Sequence, residues 1–149
     1  MLSLMRTDAS HHDFEILVQQ LDVELAQRDG EEHAFYAQYN TLDKIKYVII
    51  AYEHDNAVAC GAIKEFSPEA MEVKRMYTLP QARGKGMASR ILGELESWAK
   101  ELAYVKCVLE TGKRQSEAIR LYEKNGYSII PNYGQYVKME NSLCFEKIL

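Results

Sequence analysis

The spacing of apolar positions changes period several times along the chain, and each change predicts a new element. Residues 2–6 read as a first strand. Ser10 followed by Asp13 resembles a capping pair, and Phe14, Leu17, Val18, Leu21 and Leu25 then recur at helical spacing until Gly30 ends the pattern. Residues 31–44 are polar and tyrosine-containing, and fit either a short helix or a loop over a substrate site. Residues 46–53, 57–66 and 71–79 predict three strands in an antiparallel meander, the first two joined at the polar turn His54-Asp55-Asn56. Beyond Pro80 the period becomes helical, with Ala88, Ile91, Leu92, Leu95, Trp98, Ala99 and Leu102 on one face. Residues 105–110 have the composition of a buried strand. A short helix over 115–124 is closed by Asn125-Gly126, and 127–130 and 142–149 predict two closing strands. The order β-α-β-β-β-α-β-α-β-β predicts an α/β fold with a mixed sheet.

Composition narrows the class without naming an activity. The 149 residues suit a single domain, and 47% hydrophobic with 27% charged residues is the balance of a folded globular chain. Apolar runs fall well short of the roughly 18 residues that cross a bilayer, and the N-terminal stretch turns polar too early for a signal peptide, so no membrane role and a cytoplasmic location are expected. A net charge of -4 argues against nucleic acid as a partner. Cys60, Cys107 and Cys144 each lie in an apolar, strand-like segment, as buried free thiols do. His11 and His12 lack a matching ligand pair, and His33 and His54 stand alone in polar segments, so no metal site is expected.

The chemistry concentrates between a predicted strand and the start of the clearest helix, in Gln81-Ala82-Arg83-Gly84-Lys85-Gly86-Met87-Ala88. Gly84 and Gly86 remove side chains where a ligand must approach the backbone, and the first N–H groups of a helix favour an anion. Arg83 and Lys85 add positive charge, so a phosphate or pyrophosphate suits the loop. A Walker loop is excluded, because no Gly-x-x-x-x-Gly-Lys-Ser/Thr string occurs. A dinucleotide fingerprint would need glycine or alanine where Ser89 stands, and would follow the first strand of a parallel unit rather than the third of a meander. A plain glycine turn capping a helix is the remaining alternative.

The pattern Gln/Arg-x-x-Gly-x-Gly/Ala, filled by Gln81, Gly84 and Gly86, resembles the GNAT superfamily of acyl-CoA-dependent N-acetyltransferases. A second motif, Leu109-Glu110-Thr111-Gly112 followed by Ala118, Leu121, Tyr122, Gly126 and Tyr127, is similar to that family in the same order. The resemblance implies a mostly antiparallel sheet of about seven strands flanked by helices, with a splayed parallel strand pair at the coenzyme site. It implies acetyl-CoA as cosubstrate, with its pantetheine arm along Met76, Tyr77 and Thr78. The pyrophosphate is then expected on the amides from Arg83 to Ala88, including Met87, with a hydroxyl from Ser89. Gln115 stands where many relatives carry a coenzyme-contacting asparagine.

The same resemblance casts Tyr122 as the acid that protonates the leaving thiolate, whereas spacing alone favours a core tyrosine packed beside Ala118 and Leu121. The attacking amine must lose a proton, so a carboxylate is expected near it, Glu110 first and Glu72 second. Lys74 and Arg75 are candidates to meet a substrate carboxylate, and the loop 131–136 to border the acceptor, a small amino-acid-like or polyamine-like amine. An open sheet edge at the C-terminal strand would also invite pairing into a homodimer.

Overall fold

The computed structural model describes residues 2–29 and 45–149. The predicted helix stop at Gly30 and the polar segment 31–44 with His33 lie outside the described residues. The strands are β1 (Leu2–Thr7), β2 (Tyr47–Glu53), β3 (Asn56–Ser67), β4 (Ala70–Thr78), β5 (Lys106–Gly112), β6 (Ser128–Ile130) and β7 (Ser142–Ile148), and the helices are α1 (His12–Asp29), α2 (Met87–Glu101) and α3 (Ser116–Lys124). The strands form one sheet in the order β1-β2-β3-β4-β5-β7-β6. All neighbours are antiparallel except β4 and β5, which are parallel. The element order matches the one predicted, with added 3-10 turns at Pro80–Ala82 and Gly134–Tyr136.

Helices cover both faces of the sheet, which explains why β2 reads as an unbroken apolar run rather than an alternating one. Val48 and Ile50 pack under Phe14, Leu17, Val18 and Leu21 of α1, while Ile49 and Ala51 face Ile91, Leu92 and Leu95 of α2. Those three α2 side chains are fully buried, and at about 1.5–3 kcal/mol each their burial anchors the helix to the sheet. Between β2 and β3, Glu53 faces Asn56 across a two-residue turn. His54 and Asp55 both take positive φ there, +51° and +66°, as a hairpin turn matching the strand twist requires.

The cap of α1 departs from the predicted Ser10–Asp13 pair. Ser10 is held in a turn by Asp8, whose Oδ1 accepts from both its N–H at 2.9 Å and its hydroxyl at 2.5 Å. His11 caps instead, its Nδ1 accepting the Asp13 N–H at 3.1 Å. The C-terminal strand also departs from expectation: β7 is interior, bonded to β5 along its length and to β6 from Cys144 to Glu146. Pairing of two copies through β7 would have to displace β6, so the edge supposed for a homodimer is already covered.

Two features of β4 open the sheet. Its pairing with β5 runs only from Ala70 opposite Lys106 to Glu72 opposite Val108, and past that point the two strands diverge. On its other side Cys60 pairs with Tyr77 and Ala62 with Lys74, so Gly61 faces both Arg75 and Met76. This bulge bends β4. Arg75 sits in it at φ +59°, a conformation costing roughly 1–2 kcal/mol for a residue with a side chain. The buried Cys60 thiol donates to the Arg75 carbonyl at 3.4 Å, and the Arg75 guanidinium donates to Asp22 of α1 at 3.0 and 3.4 Å. Both contacts hold the strained residue in place.

Candidate active site

The divergence of β4 from β5 leaves a channel roofed by α1 and α3. Its wider part, about 630 Å³, is lined by Met76, Tyr77 and Thr78 of β4, by Arg83, Gly84, Gly86, Met87, Ala88 and Ser89 of the glycine loop and α2, and by one side of α3. Gly84 and Gly86 have φ of +81° and +79°, and a Cβ on either would meet nothing within 4 Å. Glycine is therefore required there by backbone conformation and by open approach rather than by crowding. Gly86 is the N-cap of α2, with no side chain closing the first turn, so that turn's N–H groups are presented toward the loop. Arg83 lies across the channel mouth, Nε donating to the Thr78 carbonyl at 2.9 Å and Nη2 to both Glu24 oxygens at 3.0 Å.

A smaller cavity of about 130 Å³ continues from the channel, lined by Glu72, Lys74, Arg75, Glu110, Thr111 and Tyr136 among others. Glu72 and Glu110 come from the two lips of the splayed pair. Glu72 accepts the Tyr133 hydroxyl at 2.6 Å, and Glu110 accepts that of buried Ser142 at 2.8 Å. The Lys74 ammonium lies 3.6 Å from Glu72, with its side chain only 9% exposed. Met76, Gln115 and Tyr122 line both spaces and so mark their junction.

Tyr122 is buried beneath that junction, packed 5.8 Å from the Tyr127 ring and 6.1 Å from that of Phe145. Burial, with a smaller push from Glu110, drives its phenol pKa above the usual value. The ring therefore stays protonated at neutral pH and can donate. Tyr136, also on the cavity wall, is raised for the same reasons, burial first and Glu110 next.

Most of the residues singled out from the sequence converge here, but not all. Gln81 falls in the exposed 3-10 turn before the loop. The Lys85 side chain is half exposed and turns toward Glu53 at 3.5 Å. Neither side chain lines the channel. Arg75, expected with Lys74 to face a substrate carboxylate, gives its guanidinium to Asp22. Glu110 lies two residues inside the end of β5 rather than at it. From the loop 131–136, Tyr133 reaches Glu72 and Tyr136 reaches the cavity.

Sequence reasoning missed the polar side of α1. Arg28 donates to Glu117 at 2.9 Å and to Gln115 at 3.4 Å, and its carbonyl accepts from Arg114 at 3.0 Å. With Glu24 on Arg83, this ties the end of α1 to both banks of the channel. The available signal was Leu21, Glu24 and Arg28 at helical spacing, a face that looks the same as one turned to solvent.

Residues 44–129, more than half the chain, match the family model described as an acetyltransferase (GNAT) domain. The chain belongs to the GNAT family of N-acetyltransferases. An IAA acetyltransferase of Azospirillum brasilense is 33% identical over 136 residues, covering 89% of this chain and 88% of that protein. Among solved structures, a Klebsiella pneumoniae protein assigned as an acyl-CoA N-acyltransferase superposes with a TM-score of 0.84 at 27% identity, covering 100% of this chain and 98% of its own. A GNAT acetyltransferase of Elizabethkingia anophelis, solved with acetyl-CoA bound, has the same fold, with a TM-score of 0.70 at 15% identity and 99% and 98% coverage. The GNAT sheet with its parallel β4–β5 pair is thus shared along the whole chain.

Proposed function

We propose that this GNAT enzyme transfers an acetyl group from acetyl-CoA to the primary amine of a small molecule, amino-acid-like or polyamine-like, by direct attack. The observation that carries this reading is the junction: a long channel starting at a glycine loop and helix N-terminus meets a small cavity lined by Glu72, Lys74, Arg75 and Glu110, and buried Tyr122 lines both. In this assignment the pantetheine arm follows Met76 to Thr78, where the edge of β4 has left β5 and its backbone groups face the gap. The pyrophosphate takes the first-turn amides of α2, with Ser89 and Gln115 at its side, while Arg83 exchanges Glu24 for phosphate oxygens. Backbone N–H groups of the splayed edge polarise the acetyl carbonyl as charge moves onto its oxygen.

Glu110 is the assigned base. It takes the proton of the acceptor ammonium, the freed nitrogen attacks the thioester carbon, and the C–S bond breaks as the tetrahedral species collapses. Tyr122 gives its proton to the departing sulfur. A phenol is a weaker acid than a thiol, and burial widens that gap, so the donation must be coupled to the proton released by the amine. Overall one N–H proton ends on the coenzyme thiol. Titration calorimetry with acetyl-CoA and an NAD control, followed by thiol release with a panel of amines, tests the whole reading. Micromolar acetyl-CoA binding with amine-dependent thiol release supports it. Binding without turnover on any amine would make the chain a coenzyme-binding module instead, and no binding would remove the channel assignment.

A further inference from the structure

The β4–β5 register carries information about the acceptor. Glu72 is paired with Val108, so continuing the same register two residues along each strand brings Lys74 opposite Glu110 on one face of the sheet. The strands have diverged by then, and the gap between these two positions is the small cavity, which both residues line. One lip therefore presents an ammonium and the other a carboxylate. Past Lys74 the bulge at Arg75 turns Met76 to the opposite, α2-facing side of β4, where it packs against the core at the junction with the channel.

Size restricts what can sit there. A volume of about 130 Å³ is close to that of a cavity that takes benzene, roughly six non-hydrogen atoms. Charge restricts it further. Keeping Lys74 and Glu72 together at 9% and 12% side-chain exposure costs desolvation that an apolar pair would avoid, whereas a pocket that must receive an anion beside a cation has use for both. Tyr133 holds one Glu72 oxygen, which fixes that carboxylate against the wall. Arg75, which also lines the cavity, has its guanidinium on Asp22, while the Lys74 ammonium lies beside Glu72.

We infer that the acceptor is a small free amino acid, its carboxylate received by Lys74 and its amine by Glu110 across the splay. This rests on the acetyl-transfer reading above and narrows it. The amine end then lies on the β5 lip beside Tyr122, where the thioester arrives, and the carboxylate end on the β4 lip. A polyamine would bring a second cation to Lys74 and is disfavoured.

The test compares α-, β- and γ-amino acids with the amines that lack only the carboxylate, alanine with ethylamine and γ-aminobutyrate with propylamine, plus putrescine, by thiol release from acetyl-CoA. The wild-type chain should favour at least one amino acid over its amine by about 10- to 100-fold in kcat/KM, the range set by one charge-assisted contact. Lys74→Met should reduce that preference to near unity without changing acetyl-CoA affinity, and Lys74→Arg should retain most of it. Equal use of both members of every pair, preference for putrescine, or a preference surviving in Lys74→Met would overturn the inference while leaving acetyl transfer standing. Acetyl-CoA binding with no amino acid acetylated would overturn it as well. Absence of acetyl-CoA binding would instead bring down the transfer reading, and this inference with it.

Discussion

Gly61 and Gly93 should respond to the same substitution with opposite signs. Gly61 faces the β4 bulge from β3, and a Cβ placed on it would lie 2.5 Å from Met76 Sδ, 2.8 Å from Ile91 Cγ2 and 3.1 Å from Leu95 Cδ1. The methionine can swing aside, but Ile91 and Leu95 are fully buried in the α2 interface and cannot retreat without moving the helix. Overpacking of this kind costs about 1–3 kcal/mol, which for a chain of this size lowers Tm by roughly 2–12 °C. Gly93 lies on the exposed side of α2, with nothing within 4 Å of an added Cβ. There alanine removes the entropy penalty of a mid-helix glycine and should stabilise by about 0.5–1 kcal/mol, or roughly 1–4 °C. Thermal melts of both variants followed by circular dichroism at one scan rate provide the measurement. Because Met76 lines both spaces of the candidate site, Gly61→Ala should also weaken acetyl-CoA binding in calorimetry, and Gly93→Ala should not. A Gly61→Ala protein melting at or above wild type would refute the claim that β3, β4 and α2 are packed without slack at this point.

Tyr122→Phe should keep acetyl-CoA affinity and lower kcat by about 10²-fold or more if the hydroxyl is the acid; unchanged turnover would return the ring to a packing role. Gly86→Val should destabilise by roughly 1–2 kcal/mol through its φ of +79° and should weaken acetyl-CoA binding strongly, while equal affinity would remove the phosphate assignment. Stability should be flat from neutral pH to about 9 and fall above it. Burial raises Cys60 and Cys107 to about 12 and Cys144 to about 11 from an ordinary 9.0, so the folded state holds these protons more tightly and loses that advantage as pH climbs from 9 through the folded values. Urea midpoints across pH 7 to 11 would show it, and a midpoint still rising above pH 10 would contradict the sign.

Local signals account for what could be read in advance. The helical period of Ile91, Leu92 and Leu95, the glycines at 84 and 86, and the Asn125-Gly126 stop each act within a turn or two of chain. Their elements appear where expected, within a residue or two. The bulge at Arg75 was hidden because an extra residue in an alternating stretch leaves the composition unchanged and only its pairing partner reveals it. Strand order was hidden for a similar reason: nothing within residues 142–149 states that they insert between β5 and β6. At the site, Tyr122 and the loop could be named from motif resemblance. The roles of Glu24, Arg28 and Ser142 depend on contacts between elements far apart in sequence, and a carboxylate on a helix surface looks the same whether it meets water or Arg83. The commitment of Arg75 to Asp22 was illegible on the same ground.

The interior position of β7 sets an order on the birth of the molecule. As the chain leaves the ribosome, β1 to β5 and α2 can assemble while the far edge of β5 has no neighbour, since its partner β7 is made only after α3 and β6. Until then the edge from Lys106 to Gly112 is open to any other nascent strand, and Glu110 lacks the Ser142 hydroxyl that holds it. Protection of that edge thus arrives with β7, at the same moment as the hydroxyl that holds Glu110.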